Sequence, residues 1–440
     1  MNASSDRSTL FVPFAQRRHR LAAAMGSGIA IIATAPERTR NRDVQHPFRF
    51  DSYFYYLTGF AEPEAVLVVV GGAEARSILF CRDKDMDREI WDGFRFGPAA
   101  AQVDFGFDEA QSIGRLDELM PSLLADQPAM YADVGADAAW DARAIGWLNA
   151  VRGQARSGVT APGAIRDLRR VLDDMRLFKD SHELASMRCA AAISTGAHER
   201  AMRATRPGDY EYQIEAELLH EFHRHGSPSP AYPSIVAGGA NACVLHYVDN
   251  RARLAAGSLL LIDAGCEIDG YASDITRTFP VSGRFSPAQR DVYEIVLAAQ
   301  AAAIEAVRPG NHWEQPHDAA LAVLARGLID LGLCRGTPEA VIESGDYKRF
   351  YMHRTGHWLG LDVHDVGDYK RDGAWRTLEP GMTLTVEPGC YIRRADNVPE
   401  ALWDIGIRIE DDVLVTAGGC DVLTSPAKTV ADIEALVGTG

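Results

Sequence analysis

The spacing of apolar residues changes character part-way along the chain. Through the first ~170 residues, short apolar runs alternate with polar stretches. Ile29 to Thr34, "EAVLVVVGG" from Glu64 and "SILFC" from Ser77 have the length and β-branched content of strands, while Asp141 to Arg152 has helical spacing. A basic helix ending near Gly26 precedes the first strand. Beyond Thr160-Ala161-Pro162-Gly163 the patterns lengthen. A helix is predicted over Ile165 to Leu177, and another opens at Asp180, where Glu183 three residues on completes a capping box. The expected organisation is an N-terminal α/β domain over residues 1–175 and a second domain over 176–440.

The second domain repeats itself. One helix runs into "RPG" at Arg206 to Gly208, another into "RPG" at Arg308 to Gly310, and a further helix follows each. Then come "GSLLLIDAG" (Gly257 to Gly265) and "GMTLTVEPG" (Gly381 to Gly389). Both open and close with Gly and carry one acid at the seventh position, Asp263 and Glu387. Each unit has a second acid in its next strand, Asp274 in "ASDITRTF" and Glu410 in "GIRIEDDVLV".

Burying a lone carboxylate is costly, so four acids on apolar strands need a reason. Asp269-Gly270 suits a two-residue hairpin turn, and that turn sets Asp263 opposite Thr276 with Asp274 as its diagonal neighbour on the same face. Diagonal positions lie ~7 Å apart, a span that one cation or a cation pair bridges. In "GIRIEDD", Ile407 and Ile409 share one face, Arg408 and Glu410 the other. "MHRTGHWLGLDVHD" adds His353, His357 and His364. Four carboxylates and one imidazole carry a charge that two divalent cations neutralise, and oxygen-rich ligation favours Mn or Co over a thiolate-loving ion. Paired metals lower the pKa of a shared hydroxide and polarise a carbonyl. Other histidines read differently. "HEFHRH" (His220 to His225) is not HExxH and reads as a solvated helix end, and His182, His198, His312 and His317 are expected at the surface.

Composition narrows the classes. With 440 residues and 47% hydrophobic content the chain has material for two cores, and a net charge of -16 argues against nucleic acid. Seven scattered cysteines without a CxxC pair fit a reducing compartment and argue against a disulfide frame. "RRHRLAAAMGSGIAIIATAPE" has the outline of an export signal, but Gly26, Ser27 and Gly28 break its apolar run, and helix followed by strand is the expectation. No stretch approaches the ~20 apolar residues of a membrane span, and a cytoplasmic location is expected.

"HRTGHWLGLDVHD" and the ordered set Asp263, Asp274, His357, Glu387, Glu410 resemble the signature and dinuclear site of the proline-specific metallopeptidases of the pita-bread fold. "NRDVQHPFRFDSYFYYLTGFAEPEAVLVV" and "MRLFKD" resemble the bacterial aminopeptidase P branch, over most of the chain. The resemblance implies a C-terminal pita-bread domain with a pseudo-twofold repeat, and removal of the N-terminal residue from peptides with proline second. It implies two divalent ions, Mn foremost with Co or Zn as alternatives. Asp263 would chelate one metal, Asp274 and Glu410 would bridge, and His357 and Glu387 would complete the other shell. Glu387 would also exchange a proton with the bridging water, His364 would contact the scissile carbonyl or proline side, His353 would help hold the peptide, and apolar walls around His353, Trp358 and His364 would accept the proline ring. His246 would stabilise the tetrahedral intermediate, Arg408 would orient the bridging carboxylates, and Tyr391 would donate from behind them. Trp91 and Arg156 match positions near the substrate entrance, and a homodimer or homotetramer is implied, with the N-terminal domain walling the site. The family pattern has Gly-Leu-Ser or Gly-Thr-Ser between the first two signature histidines, where this chain has Arg354-Thr355-Gly356.

Rival readings are prolidase, which shares the ligands but cleaves Xaa-Pro dipeptides, and a pita-bread binding protein without metals. A methionine aminopeptidase would lack the large N-terminal domain. Retention of all five ligands opposes the binding protein and a metal-free, creatinase-like hydrolase alike.

Overall fold

The computed structural model describes residues 11–440, which divide into two compact units between Met175 and Arg176. The first unit is built on a six-stranded sheet in the order Glu109–Ser112, Arg76–Cys81, Val66–Val70, Ile29–Ala33, Ala129–Ala132, Ala164–Asp167. Ile29–Ala33 pairs antiparallel with Val66–Val70 and parallel with Ala129–Ala132. These β-branched strands are buried on both faces, and the helices Leu116–Leu124 and Ala138–Arg152 supply Met120, Leu124, Trp147 and Leu148 to the core on one of them. The basic helix spans Val12–Met25, with Gly26 at its end. Its Arg17 and Arg18 are buried, and they donate to the carbonyls of Tyr56 and Leu57 at 3.0 Å each. One expectation fails here. The helix predicted over Ile165 to Leu177 is a strand, Ala164–Asp167, followed by the helix Arg169–Leu177.

In the second unit the repeat seen in sequence is a repeat in space. Helices Ser181–Ala204 and Glu211–Arg224 precede the strands Ile235–Gly238, Leu259–Asp263 and Thr276–Pro280. Helices Pro287–Ala306 and Gln315–Asp330 precede Thr383–Val386, Gly389–Ile392, Ile405–Arg408 and Asp411–Thr416. Equivalent turns use the same device. Gly208 donates to the Leu254 carbonyl at 2.8 Å, and Gly310 donates to Leu378 at 3.1 Å. Gly208, Gly257, Gly310 and Gly381 all take positive φ, at 97°, 81°, 89° and 97°, a conformation cheap only for glycine. Asp180 and Glu183 form the expected capping box.

Side-chain alternation then sorts the strands. Leu260, Ile262, Leu384, Val386, Ile407 and Ile409 join the main core, while Leu261 packs on the opposite side with Tyr391. Asp263, Glu387, Arg408 and Glu410 fall at the alternating positions, so the pleat sends them away from the main core.

Candidate metal centre

The Asp269-Gly270 turn sets the first pair of acids. Both residues have positive φ, 50° and 75°, as a tight hairpin with right-handed twist requires. The ladder on either side pairs Leu259 with Pro280 and Asp263 with Thr276, so the register expected from the turn is the register present. In the second half, Val386 pairs with Asp411 and Gly389 with Arg408. Continuing that register from both sides places Glu387 opposite Glu410. The two halves meet where the Glu410 amide donates to the Thr276 carbonyl at 3.1 Å.

The side chains converge. Asp274, His357 and Glu410 each offer a donor atom within 4.8 Å of the others. His357 Nε2 lies 3.4 Å from Asp274 and 3.7 Å from Glu387. The other ring nitrogen, Nδ1, lies 2.9 Å from the Trp358 carbonyl, which fixes the proton there and leaves Nε2 free to ligate. The Tyr232 hydroxyl, with one proton to give, lies within hydrogen-bond distance of both Asp263, at 2.6 Å, and Asp274. Thr276 donates to Glu410 at 2.6 Å and accepts from Arg408 Nε at 3.0 Å. Arg408 also bonds Asp263 at 2.5 Å and the Tyr391 hydroxyl at 3.0 Å.

Electrostatics show what this packing costs without cations. Burial pushes Glu387 up to about 7, against the pull of His357 and Arg408. Burial and the charges of Asp274, Glu387 and Asp263 raise Glu410 well above the carboxylate range. Burial also raises Asp263, although Arg408 opposes it. Burial would raise Asp274 too, but His357, Tyr232 and Arg408 outweigh it and hold the group low. His357 is lifted to about 9 because Asp274 and Glu387 overcome its burial. Four carboxylates that raise one another's pKa, beside one imidazole, fit a pair of divalent cations.

Other expected residues fall around this point. His364 is exposed, its ring centroid 4.1 Å from that of His357, and burial followed by the charge of His357 lowers its pKa. Asp365, next to it, is buried against Arg176 and Lys179 at 2.6 and 2.8 Å, which anchors the loop. His353 has both ring nitrogens within hydrogen-bond distance of protein groups, the Arg354 carbonyl at 2.7 Å and the Tyr391 hydroxyl at 2.9 Å. What it offers a peptide is therefore its ring face. His246 is exposed on the segment after the short helix Gly239–Cys243. Tyr391 is buried, and its hydroxyl is taken up by Arg408 and His353. Trp91, 83% exposed, and Arg156 lie on the surface of the first unit.

Three expectations need correction. Arg408 reaches Asp263 directly, and Glu410 only through Thr276, so its fork does not embrace the two acids expected to bridge. Trp358, expected beside the substrate, is wholly buried against Trp313 and Tyr369, and only its carbonyl serves the site. His198 and His317 are buried, not superficial, because Ala264 O and Thr355 Oγ1 receive their rings at 2.9 and 2.8 Å. Sequence reading also missed Tyr232, Thr276 and Asp412. Asp412 accepts from the Asp274 amide and from Ser273, and so braces a ligand strand. The "DD" after Glu410 was the visible signal for it. Tyr232 sits outside every motif.

A cavity of about 750 Å³ lies in the first unit, lined by Thr34, Tyr53, Asp133 and Trp140 among others. The chemistry is concentrated in the second unit.

A family model described as metallopeptidase family M24 matches residues 185–417, a span that holds all four acids and the one histidine of the cluster. The chain belongs to metallopeptidase family M24. A second model, the aminopeptidase P N-terminal domain, matches residues 14–131 ahead of it. The Xaa-Pro aminopeptidase of Escherichia coli (strain K12) is 44% identical over 428 residues, covering 96% of this chain and 97% of that protein. Aminopeptidase PepP of Pseudomonas aeruginosa superposes with a TM-score of 0.95 at 51% identity, covering 96% of this chain and 97% of that one. A zinc-substituted aminopeptidase P from E. coli in complex with product superposes at 0.94 with 44% identity, over 96% and 97% of the two chains. The family membership makes the chain a metal-dependent exopeptidase, a hydrolase with the pita-bread domain following an α/β domain.

Proposed function

We propose that this exopeptidase removes the N-terminal residue from peptides whose second residue is proline, as an Xaa-Pro aminopeptidase. The observation that carries the reading is the cluster of Asp274, His357 and Glu410, donor atoms within 4.8 Å, with Glu387 3.7 Å from His357 and Asp263 joined to Asp274 through the Tyr232 hydroxyl. Asp263, Asp274, His357, Glu387 and Glu410 would together hold two divalent ions. Two divalent ions bound there supply a water of lowered pKa and polarise the scissile carbonyl. Mn is the proposed ion, with Co or Zn able to replace it.

The remaining roles belong to the chain. Glu387, 3.7 Å from His357, is assigned the exchange of a proton with the metal-held water. His364, exposed beside His357, is assigned to the scissile carbonyl or proline side. His353 presents its ring, and Arg408 and Tyr391 hold Asp263 and His353 in place. His246 is assigned to the tetrahedral intermediate. An Xaa-Pro bond has no N–H, so a site that recognises the free amine and the carbonyl loses nothing at proline. Trp91 and Arg156 are assigned to substrate access. Met86, Ile90, Trp91 and Phe94 are 68%, 79%, 83% and 64% exposed, an apolar surface that supports assembly as a homodimer or homotetramer. Seven unpaired thiols support a cytoplasmic setting, and no described helix is long and apolar enough to cross a membrane.

The deciding experiment compares kcat/KM for Ala-Pro-Ala, Ala-Ala-Ala and Ala-Pro under Mn. Preference for Ala-Pro-Ala is expected. Equal cleavage of the first two removes proline specificity, and preference for Ala-Pro makes the chain a prolidase.

A further inference from the structure

Arg354-Thr355-Gly356 departs from the family pattern, and each of its residues has a physical task. The Thr355 hydroxyl sits 2.8 Å from His317 and 2.6 Å from the Tyr351 hydroxyl, and its carbonyl accepts from the Glu387 amide at 2.8 Å. A Cβ at Gly356 would lie 2.1 Å from the Thr385 carbonyl, so only glycine allows the segment to close on the strand behind it. Arg354 makes a two-pronged pair with Glu314, Nη1 to Oε1 at 2.7 Å and Nη2 to Oε2 at 2.9 Å. Its guanidinium also lies 5.3 Å from the ring centre of Trp375, which carries the Lys370 ammonium at 3.9 Å. Glu314 immediately precedes the helix Gln315–Asp330, and Trp375 belongs to the hairpin Lys370–Arg371 with Ala374–Trp375. Arg354 thus ties three separate pieces of chain together.

The carbonyl of the same residue faces the site. It can only accept, so the proton of His353 stands on Nδ1, 2.7 Å away. Nε2 must then accept, and its partner at 2.9 Å is the Tyr391 hydroxyl, which in turn accepts from Arg408. Arg408 ends the run on Asp263. The direction of every bond from Asp263 to His353 is settled by where the Arg354 carbonyl points. An exposed ion pair adds little to stability, but a forked one is specific in geometry.

We propose that Arg354, through its fork with Glu314, is a positioning residue that sets the orientation and tautomer of His353 and thereby the seating of the peptide beside Glu387. The proposal rests on the Xaa-Pro aminopeptidase reading for its kinetic consequence but not for its structural one. Arg354→Ala, Glu314→Gln and the double variant are compared with the parent as full-length, metal-loaded protein. KM for Ala-Pro-Ala is expected to rise about tenfold in each single variant, with kcat within about threefold and metal content unchanged. The double variant should be no worse than Arg354→Ala alone, because one interaction is lost in all three. Arg354→Lys keeps the charge without the fork and should not restore KM. A KM within twofold of the parent in both single variants, or losses that multiply in the double, overturns the proposal. Imidazole ¹⁵N shifts of the zinc-loaded, histidine-labelled protein, assigned with His353→Gln, read the tautomer without any substrate. A parent that shows the Nδ1–H form but does not cleave Ala-Pro-Ala sinks the functional reading alone. An unchanged His353 spectrum in Arg354→Ala sinks the positioning role.

Discussion

Three of the four carboxylates are held by a neutral or cationic neighbour that leaves part of each open: Tyr232 and Arg408 on Asp263, Tyr232 on Asp274, Thr276 on Glu410. Removing one ligand charge should therefore act on metal binding first. Asp263→Asn and Glu410→Gln are each expected to lower metal content below the parent and to abolish turnover, measured on protein purified without chelator. Parent-like metal content and activity in either variant would remove the dinuclear assignment. His364 lies outside the five ligands, so His364→Ala should keep both ions and lose most of its rate, roughly 10²-fold or more. Loss of the metals in that variant would make His364 a ligand. At this scale the acids and the signature histidines were legible because their types and spacing are improbable on buried strands. Trp358 and His198 were misread because one-dimensional spacing does not say which side of a loop or helix faces the core.

Among the elements, the hairpin between Leu259 and Pro280 was the most legible, since Asp269-Gly270 admits one turn and the turn admits one register. The strand Ala164–Asp167 was not legible. It is four residues long, largely exposed and paired in parallel with Ala129–Ala132, so it carries neither alternation nor a continuous apolar run, and its junction with the helix Arg169–Leu177 reads as more helix. A steric feature inside the hairpin makes a test. A Cβ at Gly265 would lie 1.7 Å from the Ser273 carbonyl, backbone on both sides, in the stretch between Asp263 and Asp274. Gly265→Ala should force the strands apart, costing roughly 3 kcal/mol or more and lowering metal content with it. Gly418→Ala, where nothing lies within 4 Å, is the matched control and should leave both unchanged. A Gly265→Ala protein with the parent's denaturation midpoint and metal content would show that the two acids do not depend on this close approach.

At the scale of the whole molecule, acid stability separates into two pH windows. Asp365 and Asp411 are buried; Arg176 and Lys179 hold the first low against its burial, and Arg277 and Lys428 do the same for the second. A depressed carboxylate keeps its stabilising effect above its ordinary pKa of 3.8 and loses it only below that. The buried histidines act earlier. Burial lowers His198 and His317 from 6.5 to about 4, in the first case against the Ala264 carbonyl 2.9 Å away, which by itself favours the charged ring. Between pH 6.5 and 4 the unfolded chain binds a proton at each histidine that the folded protein does not. Stability is therefore complete above pH 6.5 and falls as the pH drops, by about 2 kcal/mol per histidine at pH 5. His317→Gln removes one of these titrations and keeps a polar contact for Thr355. Urea denaturation of parent and variant, both metal-loaded, at pH 7.5 and pH 5 should show the parent losing about 2 kcal/mol more between the two conditions. Equal losses would mean that His317 does not stay neutral in the fold, and that the acid sensitivity of this enzyme lies in its carboxylates alone.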